Sequence, residues 1–282
     1  MNIQWYPGHM TKAKRQMQED IKLVDMVIEL LDARIPASSK NPDIDDLAQN
    51  KARLVILNKA DLADENANRK WQAYFEKKGI AVILADARSA GSFKTLSSRV
   101  NEACREKIER DRRRGIKNRP IRTMVAGIPN VGKSTFINSY AKKAVAKTGN
   151  RPGVTKGKQW IRLGKDLELL DTPGILWPKF EDEKVGVNLS LTGSISDNIL
   201  NLEELSLKLI AFLRKEYAGI LNSRYGAEEE GSDAQLLYAI GERRGCVGKG
   251  GEISYEKAAN ILIDEFRSGK LGRISLELPP EE

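Results

Sequence analysis

GIPNVGKST, residues 127–135, is the stretch that decides the fold of this chain. It matches the pattern G-x-x-x-x-G-K-[ST], in which glycines let backbone N–H groups turn toward a phosphate. The lysine reaches the terminal phosphate oxygens, and the hydroxyl residue is a ligand of Mg²⁺. Strand character before the stretch and helical spacing after it place the pattern in a strand–loop–helix unit. We predict that Asn130, Val131, Gly132, Lys133, Ser134 and Thr135 bind a nucleotide and that Lys133 also acts in catalysis.

A second motif for the phosphates and the metal ion follows this loop. Asp171-Thr-Pro-Gly174 begins 38 residues beyond the loop lysine, after a short apolar run. In enzymes with this loop an aspartate at a strand end holds the Mg²⁺ shell, and a following backbone N–H senses the γ-phosphate. We predict that Asp171 and Ser134 hold Mg²⁺ and that Gly174 contacts the nucleotide. Thr155 is predicted to complete the Mg²⁺ shell and to act in catalysis, with a plain turn threonine as the alternative.

A base-reading motif, N-K-x-D, occupies residues 58–61 directly after the apolar run 54–57. An aspartate carboxylate accepts hydrogen bonds from both the N1–H and the 2-amino group of guanine, a donor pair that adenine lacks. We predict that Asp61 reads the base, that Asn58 braces the base edge and the phosphate loop, and that the stem of Lys59 covers the ring. The nucleotide-binding residues predicted here are Asn58, Lys59, Ala60 and Asp61.

A third guanine loop is expected after the next strand, which we predict over residues 80–85. The best assignment is Asp86-Ala87, with backbone N–H groups facing the guanine oxygen. The sequence leaves Ser89-Ala90 open as an alternative register.

The order of these motifs is unusual, because N-K-x-D precedes the phosphate loop by about seventy residues. Either residues 1–120 form a separate domain in which the motif is accidental, or the sheet is circularly permuted. The front segment has no phosphate loop of its own, and no N-K-x-D follows Gly174. Permutation requires only that the loops share the carboxyl edge of one sheet, where ligands of α/β proteins bind. We therefore favour permutation.

The spacing of strands and helices predicts a mostly parallel α/β sheet in the first part of the chain. It includes a long charged helix over residues 94–114 and a hairpin formed by residues 158–163 and 166–171. Later segments with helical spacing and glycine-containing breaks are 184–192, 203–217, 233–243 and 254–268. We predict a nucleotide-binding domain over residues 1–178 and a smaller, all-helical C-terminal domain over residues 179–282.

The positive charge of the chain is concentrated in its first part. The formal net charge is +8, yet residues 1–178 hold 34 Lys and Arg against 20 Asp and Glu, while residues 179–282 hold 13 against 19. The densest basic runs are 105–122 and 142–165. Although such runs are often solvated helix faces or linkers, several of them in one domain predict an RNA-binding face. A glycine-rich basic loop near residues 243–251 is a weaker candidate for a second contact.

Composition excludes several other classes of protein. Hydrophobic residues make up 40% of the chain, which is enough to build a core. No stretch approaches the roughly 20 apolar residues that cross a bilayer, and the N-terminus lacks the apolar segment of a secretory signal. Cys104 and Cys246 have neither the number nor the spacing of a disulfide framework or metal site. We expect a soluble, reduced, cytoplasmic protein without a membrane partner.

Taken together, the motif order, residues 127–135, the stretch DTPGILWPKFED and the opening WYPGHM resemble the circularly permuted GTPases, in particular those of ribosome biogenesis. The resemblance spans nearly the whole chain. It implies a P-loop GTPase sheet with permuted motif order, GTP and GDP as ligands, and Mg²⁺ as cofactor. It also implies binding to rRNA or to the immature large ribosomal subunit during late assembly in the bacterial cytoplasm.

Hydrolysis requires a group that orients the attacking water, and the usual Gln after D-x-x-G is replaced by Ile175. An apolar side chain cannot position water, so we expect slow intrinsic turnover and help from elsewhere. The resemblance implies that Asn130 holds a K⁺ ion beside the phosphates; the alternative is an ordinary turn asparagine. It also implies a catalytic role for His9, the only histidine of the chain, whose reference pKa lies near working pH.

Two other functions compete with an assembly factor. One is a GTPase that acts on another RNA, such as tRNA. The other is a nucleotide-gated scaffold with negligible turnover, which Ile175 favours.

Overall fold

The structure is a computed structural model, and it describes residues 15–116, 119–141, 159–163, 167–171, 182–248 and 250–281. The chain divides into two compact units. The first comprises Met1–Glu183 together with Ser275–Glu282, and the second comprises Lys184–Ile274.

The described residues of the first unit form a six-stranded sheet. Its strands are β1 (Met26–Asp32), β2 (Ala52–Asn58), β3 (Ala81–Ala85), β4 (Ile121–Gly127), β5 (Gln159–Leu163) and β6 (Leu167–Asp171). The order across the sheet is β3-β2-β1-β4-β6-β5. All neighbouring strands pair in parallel except β5, which is antiparallel to β6. The mostly parallel α/β sheet predicted from the sequence is confirmed.

Helices flank these strands. They are α1 (Pro36–Ser39), α2 (Pro42–Leu47), α3 (Glu65–Lys77), α4 (Leu96–Ala103), α5 (Arg105–Arg113) and α6 (Lys133–Ala141), and residues 15–20 are also helical. The single helix predicted over residues 94–114 is wrong, because it is divided at Cys104. That residue is 2% exposed, whereas none of the residues of α5 is buried. The first helix, α4, packs into the core through Leu96 and Val100, whereas α5 has no buried residue.

The central strand β1 is buried along its whole length. Parallel strands with both faces covered are typically continuous apolar runs. On one face of β1, Val27 belongs to one apolar cluster and Leu31 to another. Glu29 lies between them on the same face because side chains alternate along a strand. It is therefore a buried carboxyl group between two apolar clusters.

The second unit is helical in its described residues. It contains α7 (Glu183–Leu191, which begins at the unit boundary), α8 (Leu202–Glu216), α9 (Ile220–Tyr225), α10 (Asp233–Arg243) and α11 (Tyr255–Arg267). The sequence predicts four of these and misses the short α9, which begins and ends at glycines in left-handed conformations. The carboxylate of Glu265 accepts from Arg224, Arg244 and the Tyr225 hydroxyl. These bonds link α9 to α11, with Glu265 and Tyr225 buried and the two arginines at the surface.

Within the described part of the chain, we find no helix with the length and apolar character that a membrane crossing needs.

The last residues of the chain belong to the first unit rather than to the helical one with which the sequence groups them. Leu276 N–H donates to the Arg34 carbonyl at 2.9 Å, and Asp64 N–H donates to the Ser275 hydroxyl at 3.1 Å. The carboxylate of Glu277 accepts from the first turn of α1, at Ala37 N–H and the Ser38 hydroxyl. We call Ser275–Glu277 the C-terminal strap. It bonds to two loops of the first unit, at one edge of the sheet.

Glu29 carries an unusual charge environment for a core residue. Its carboxyl group is 3.1 Å from the Arg53 guanidinium and accepts from the Asn41 N–H at 3.3 Å. Burial nevertheless dominates and raises the pKa of Glu29 to about 7, against the attraction of Arg53. Between about pH 4.5 and pH 7, Glu29 is therefore protonated in the folded chain and ionised in the unfolded chain.

The contribution of Glu29 to the free energy of unfolding is therefore expected to fall as pH rises from about 4.5 to about 7. Glu29→Gln removes this titration, so the stability of the variant relative to the natural chain should rise by on the order of 3 kcal/mol across that interval. Urea unfolding at several pH values measures the difference. Glu106→Gln, at an exposed position of α5, is the control. Parallel curves for Glu29→Gln and the natural chain would contradict the assignment.

Candidate nucleotide-binding site

The predicted motifs lie at one edge of the sheet. Because β1, β2, β3, β4 and β6 are parallel, their carboxyl ends meet at that edge. In the strand register, Asn58 at the end of β2 is opposite both Asp32 of β1 and Ala85 of β3. Gly127 of β4 is opposite Leu30 of β1. The base motif and the phosphate loop, about seventy residues apart in the sequence, therefore follow strands that flank the same central strand.

Asn58 joins the loops through its side-chain amide. Its Nδ2 donates to the Val131 carbonyl in the phosphate loop at 2.6 Å. Its Oδ1 accepts from the Ala87 N–H in the loop after β3 at 2.8 Å. The side chain is in the interior, with 2% of the residue exposed. One amide thus ties together the base loop, the phosphate loop and the third loop.

The backbone of the phosphate loop requires glycine at both ends of its pattern. A Cβ on Gly127 would lie 2.9 Å from Val131 Cγ1 and 3.0 Å from the Leu30 carbonyl. Gly132 has φ +99°, and a Cβ there would collide with Nδ2 of Asn58. Asn130 is in the left-handed region at φ +60°, which asparagine tolerates better than most residues. The loop therefore packs against Asn58 at a distance that only a bare backbone permits.

Lys133 begins α6, with Ser134 and Thr135 in the same first turn. Lys133 is 8% exposed, so its side chain lies among protein groups at the carboxyl edge of the sheet. The N-terminus of a helix also attracts anions, because its backbone N–H groups and its dipole favour negative charge. The arrangement suits a bound polyphosphate.

The base motif has its own backbone constraint, since Lys59 is in the left-handed region at φ +58°. The following Ala60 N–H donates to the Ala85 carbonyl at 3.0 Å, which holds the loop against β3. The carboxylate of Asp61 lies 2.6 Å from an Nη2 of Arg88, an exposed residue that also pairs with Asp86. The predicted base-reading carboxylate therefore has a cation beside it.

The third loop differs from the geometry expected for Asp86-Ala87. The Asp86 N–H donates to the Ser92 hydroxyl at 3.2 Å, and the Ala87 N–H donates to Asn58. Both N–H groups that were assigned to the guanine oxygen are thus used within the protein. In the alternative register, Ser89 N–H donates to the Asp86 carbonyl at 2.9 Å.

The sequence motifs do not include three charged residues that lie near this edge: Asp32, Arg34 and Arg88. Asp32, at the end of β1, is fully buried beside Arg34 and Lys59. Burial alone would raise the pKa of Asp32, but the two cations hold it well below its usual range. The third residue is Arg88, whose hydrogen bonds also lower the pKa of Asp86. The sequence signal that could have identified Asp32 as a functional residue is its position as a charged residue at the end of an apolar strand.

The residues predicted to bind Mg²⁺ fall partly within the described part of the chain. His9, Thr155, Gly174 and the side chain of Asp171 lie outside the described residues. Among the residues that the structure does describe, there is no group of three or more His, Cys, Asp and Glu side chains that could hold a metal ion. Ser134 is in the first turn of α6, and Asp171 ends β6, opposite Val125 of β4. Mg²⁺ is usually held by few protein oxygens together with water and phosphate oxygens. A hydroxyl and a strand-end aspartate beside the phosphate loop fit that ion.

A phosphate loop and an N-K-x-D loop, joined at the carboxyl edge of a mostly parallel sheet but reversed in the sequence, define a circularly permuted P-loop GTPase. Comparison with known proteins agrees. A family model described as a 50S ribosome-binding GTPase matches residues 122–229. The chain is 50% identical over 282 residues to ribosome biogenesis GTPase A of Bacillus cereus, which covers 100% of this chain and 95% of that protein.

More distant relatives show the same correspondence over the full length. Identity to ribosome biogenesis GTPase A of Thermotoga maritima is 33%, covering 99% of this chain and 95% of the relative. A GDP-bound structure of YlqF matches with a TM-score of 0.69 at 28% identity, over 95% of this chain and 100% of that one. GNP-bound YlqF from T. maritima matches with a TM-score of 0.67 at 30% identity, over 96% and 100%. The chain belongs to the ribosome biogenesis GTPase A family and is a GTP hydrolase.

Asn58→Ala is expected to weaken GDP binding by about tenfold or more, because it leaves the buried Val131 carbonyl and Ala87 N–H without their partner. Titration with fluorescently labelled GDP measures the dissociation constant. The control is Asn41→Ala, which removes a helix cap from Asp43 N–H in α2. That variant should lose stability and keep its GDP affinity; equal losses of affinity in both would sink the idea.

Asp61→Asn is expected to shift base preference from guanine to xanthine. The amide donates to the oxygen that xanthine has in place of the guanine 2-amino group. Displacement of labelled GDP by GTP and by XTP measures the ratio of the two affinities. Because both nucleotides carry the same triphosphate, the ratio reports on the base alone. An unchanged preference for GTP would remove Asp61 from base reading.

Proposed function

We propose that this GTPase is an assembly factor that binds the immature large ribosomal subunit in the cytoplasm. GTP binding and hydrolysis would be coupled to a late maturation step and to release of the factor. The observation that supports this proposal is the pair of hydrogen bonds from Asn58 to the phosphate loop and to the loop after β3, in a chain that matches ribosome biogenesis GTPase A of Bacillus cereus over its full length.

In this proposal the phosphates bind in the loop that ends at Lys133. The Lys133 ammonium contacts the terminal phosphate oxygens, and the Gly174 N–H senses the γ-phosphate. Ser134, Thr155 and Asp171 would hold Mg²⁺, which would supply positive charge next to the phosphates. The base is read by Asp61, with the stem of Lys59 over the ring.

Water activation is assigned to groups outside the usual position, because Ile175 cannot orient water. Asn130 lies in the phosphate loop, and its backbone is in the left-handed region. We propose that its side chain holds K⁺ beside the phosphates. His9 is proposed to orient or deprotonate the attacking water when the ribosomal particle is bound.

The basic surface of the first unit supports an RNA partner. Helix α5 has no buried residue, and its arginines at 105, 110, 112 and 113 are exposed. Trp160, 39% exposed on the edge strand β5, has the Arg122 guanidinium 5.2 Å from its ring. Cations contact phosphates, and an exposed aromatic ring is a surface for base stacking.

GTP turnover is therefore expected to be slow alone and to rise by about tenfold or more when immature large-subunit particles are added, as occurs for other GTPases supplied with a missing catalytic group. Replacing KCl by NaCl should reduce the stimulated rate if Asn130 holds K⁺. Release of phosphate under the four combinations of salt and particle is the measurement.

Transfer RNA at equal nucleotide concentration is the control for partner specificity. Stimulation by tRNA and not by the particle would favour the other RNA-directed GTPase. His9→Ala should lower the stimulated rate and leave GDP affinity unchanged. If stimulated turnover persisted in His9→Ala, the role of that histidine would be excluded.

A further inference from the structure

A buried carboxylate lies directly behind the base motif. Asp32 Oδ1 accepts from the Arg34 N–H at 3.1 Å and from Arg34 Nε at 2.9 Å. Asp32 Oδ2 accepts from Arg34 Nη2 at 2.8 Å and from the Lys59 ammonium at 2.9 Å. Asp32 is fully buried and Arg34 is 1% exposed. One carboxylate thus serves two cations, of which only Lys59 belongs to the base motif.

Stability alone does not explain such a cluster. Replacing a buried ion pair with apolar residues often leaves stability unchanged or improves it, since desolvation offsets the attraction between the charges. A buried charge cluster does, however, define the positions of its members closely. Here it defines the position of a lysine whose backbone is in the left-handed region, at φ +58°.

The backbone reinforces the same connection. Ala33 N–H donates to the Asn58 carbonyl at 2.8 Å, so the end of β1 holds the residue immediately before Lys59. From the other side, Leu276 of the C-terminal strap donates to the Arg34 carbonyl at 2.9 Å. Arg34 is therefore held at both its backbone and its guanidinium, and Asp32 is a rigid acceptor for Lys59.

We propose that Asp32 is a positioning residue for guanine-nucleotide binding, which acts by holding the Lys59 ammonium so that the lysine stem lies in place for the base. Asp32 itself does not touch the nucleotide. The inference rests on the proposed base site at residues 58–61 and adds to it a residue on a different strand.

A double-variant cycle separates positioning from general stability. Asp32→Asn combined with Arg34→Met removes the negative charge that pairs with Lys59, without leaving Arg34 as an uncompensated buried charge. Lys59→Met keeps the apolar stem and removes the ammonium. Each change is expected to raise the dissociation constant of labelled GDP by about tenfold, and all three substitutions together by about tenfold as well, because they break one interaction.

The control is Glu265→Gln, which perturbs a buried carboxylate of the second unit and should leave GDP affinity within about twofold. An effect of about a hundredfold in the triple variant would show that Asp32 acts independently of Lys59 and overturn the proposal. So would unchanged affinity in Asp32→Asn/Arg34→Met, with folding verified by thermal unfolding. Asp61→Asn distinguishes failure of this proposal from failure of the proposed base site. If Asp61→Asn shifts base preference but the effects of the Asp32 and Lys59 variants add, only the role of Asp32 is excluded.

Discussion

The side-chain amide of Asn58 is the interaction on which the nucleotide site depends. Its two hydrogen bonds, 2.6 Å to the Val131 carbonyl and 2.8 Å to the Ala87 N–H, connect loops that follow three different strands. An amide is suited to this task because it carries a donor and an acceptor on one rigid group. The need for glycine at position 132 follows from the same contact, since a side chain there would occupy the place of the amide.

Reversal of the motifs along the chain has little effect on this arrangement, because the site is defined by strand ends rather than by sequence order. β1 lies at the centre, with β2 and the base motif on one side and β4 and the phosphate loop on the other. Parallel strands bring their carboxyl ends to one edge whatever the order in which the chain visits them. The permuted chain and an ordinary one can therefore build equivalent loops.

Connectivity does change what is attached to the site. The chain enters the helical second unit at Lys184, after the stretch that contains Gly174, and returns at Ser275. The C-terminal strap then bonds to Arg34 and Asp64, residues of loops that border the base motif. Sequence patterns could not reveal the strap, because it binds mainly through backbone groups and Glu277, with no periodicity or motif.

The sequence by itself determined the class of fold, most strand and helix positions, the permuted motif order and the family, because these follow from apolar periodicity and short motifs of defined chemistry. Only the tertiary structure decided which groups meet. It divided the predicted helix at Cys104, directed the Asp86 and Ala87 N–H groups into the protein, and placed Arg88 beside Asp61. It also placed Asp32 and Arg34 behind Lys59. The physical reason is that a hydrogen bond or buried ion pair forms only when its atoms lie within about 3 Å of each other. The spacing of residues along the sequence does not specify such distances between groups on separate strands.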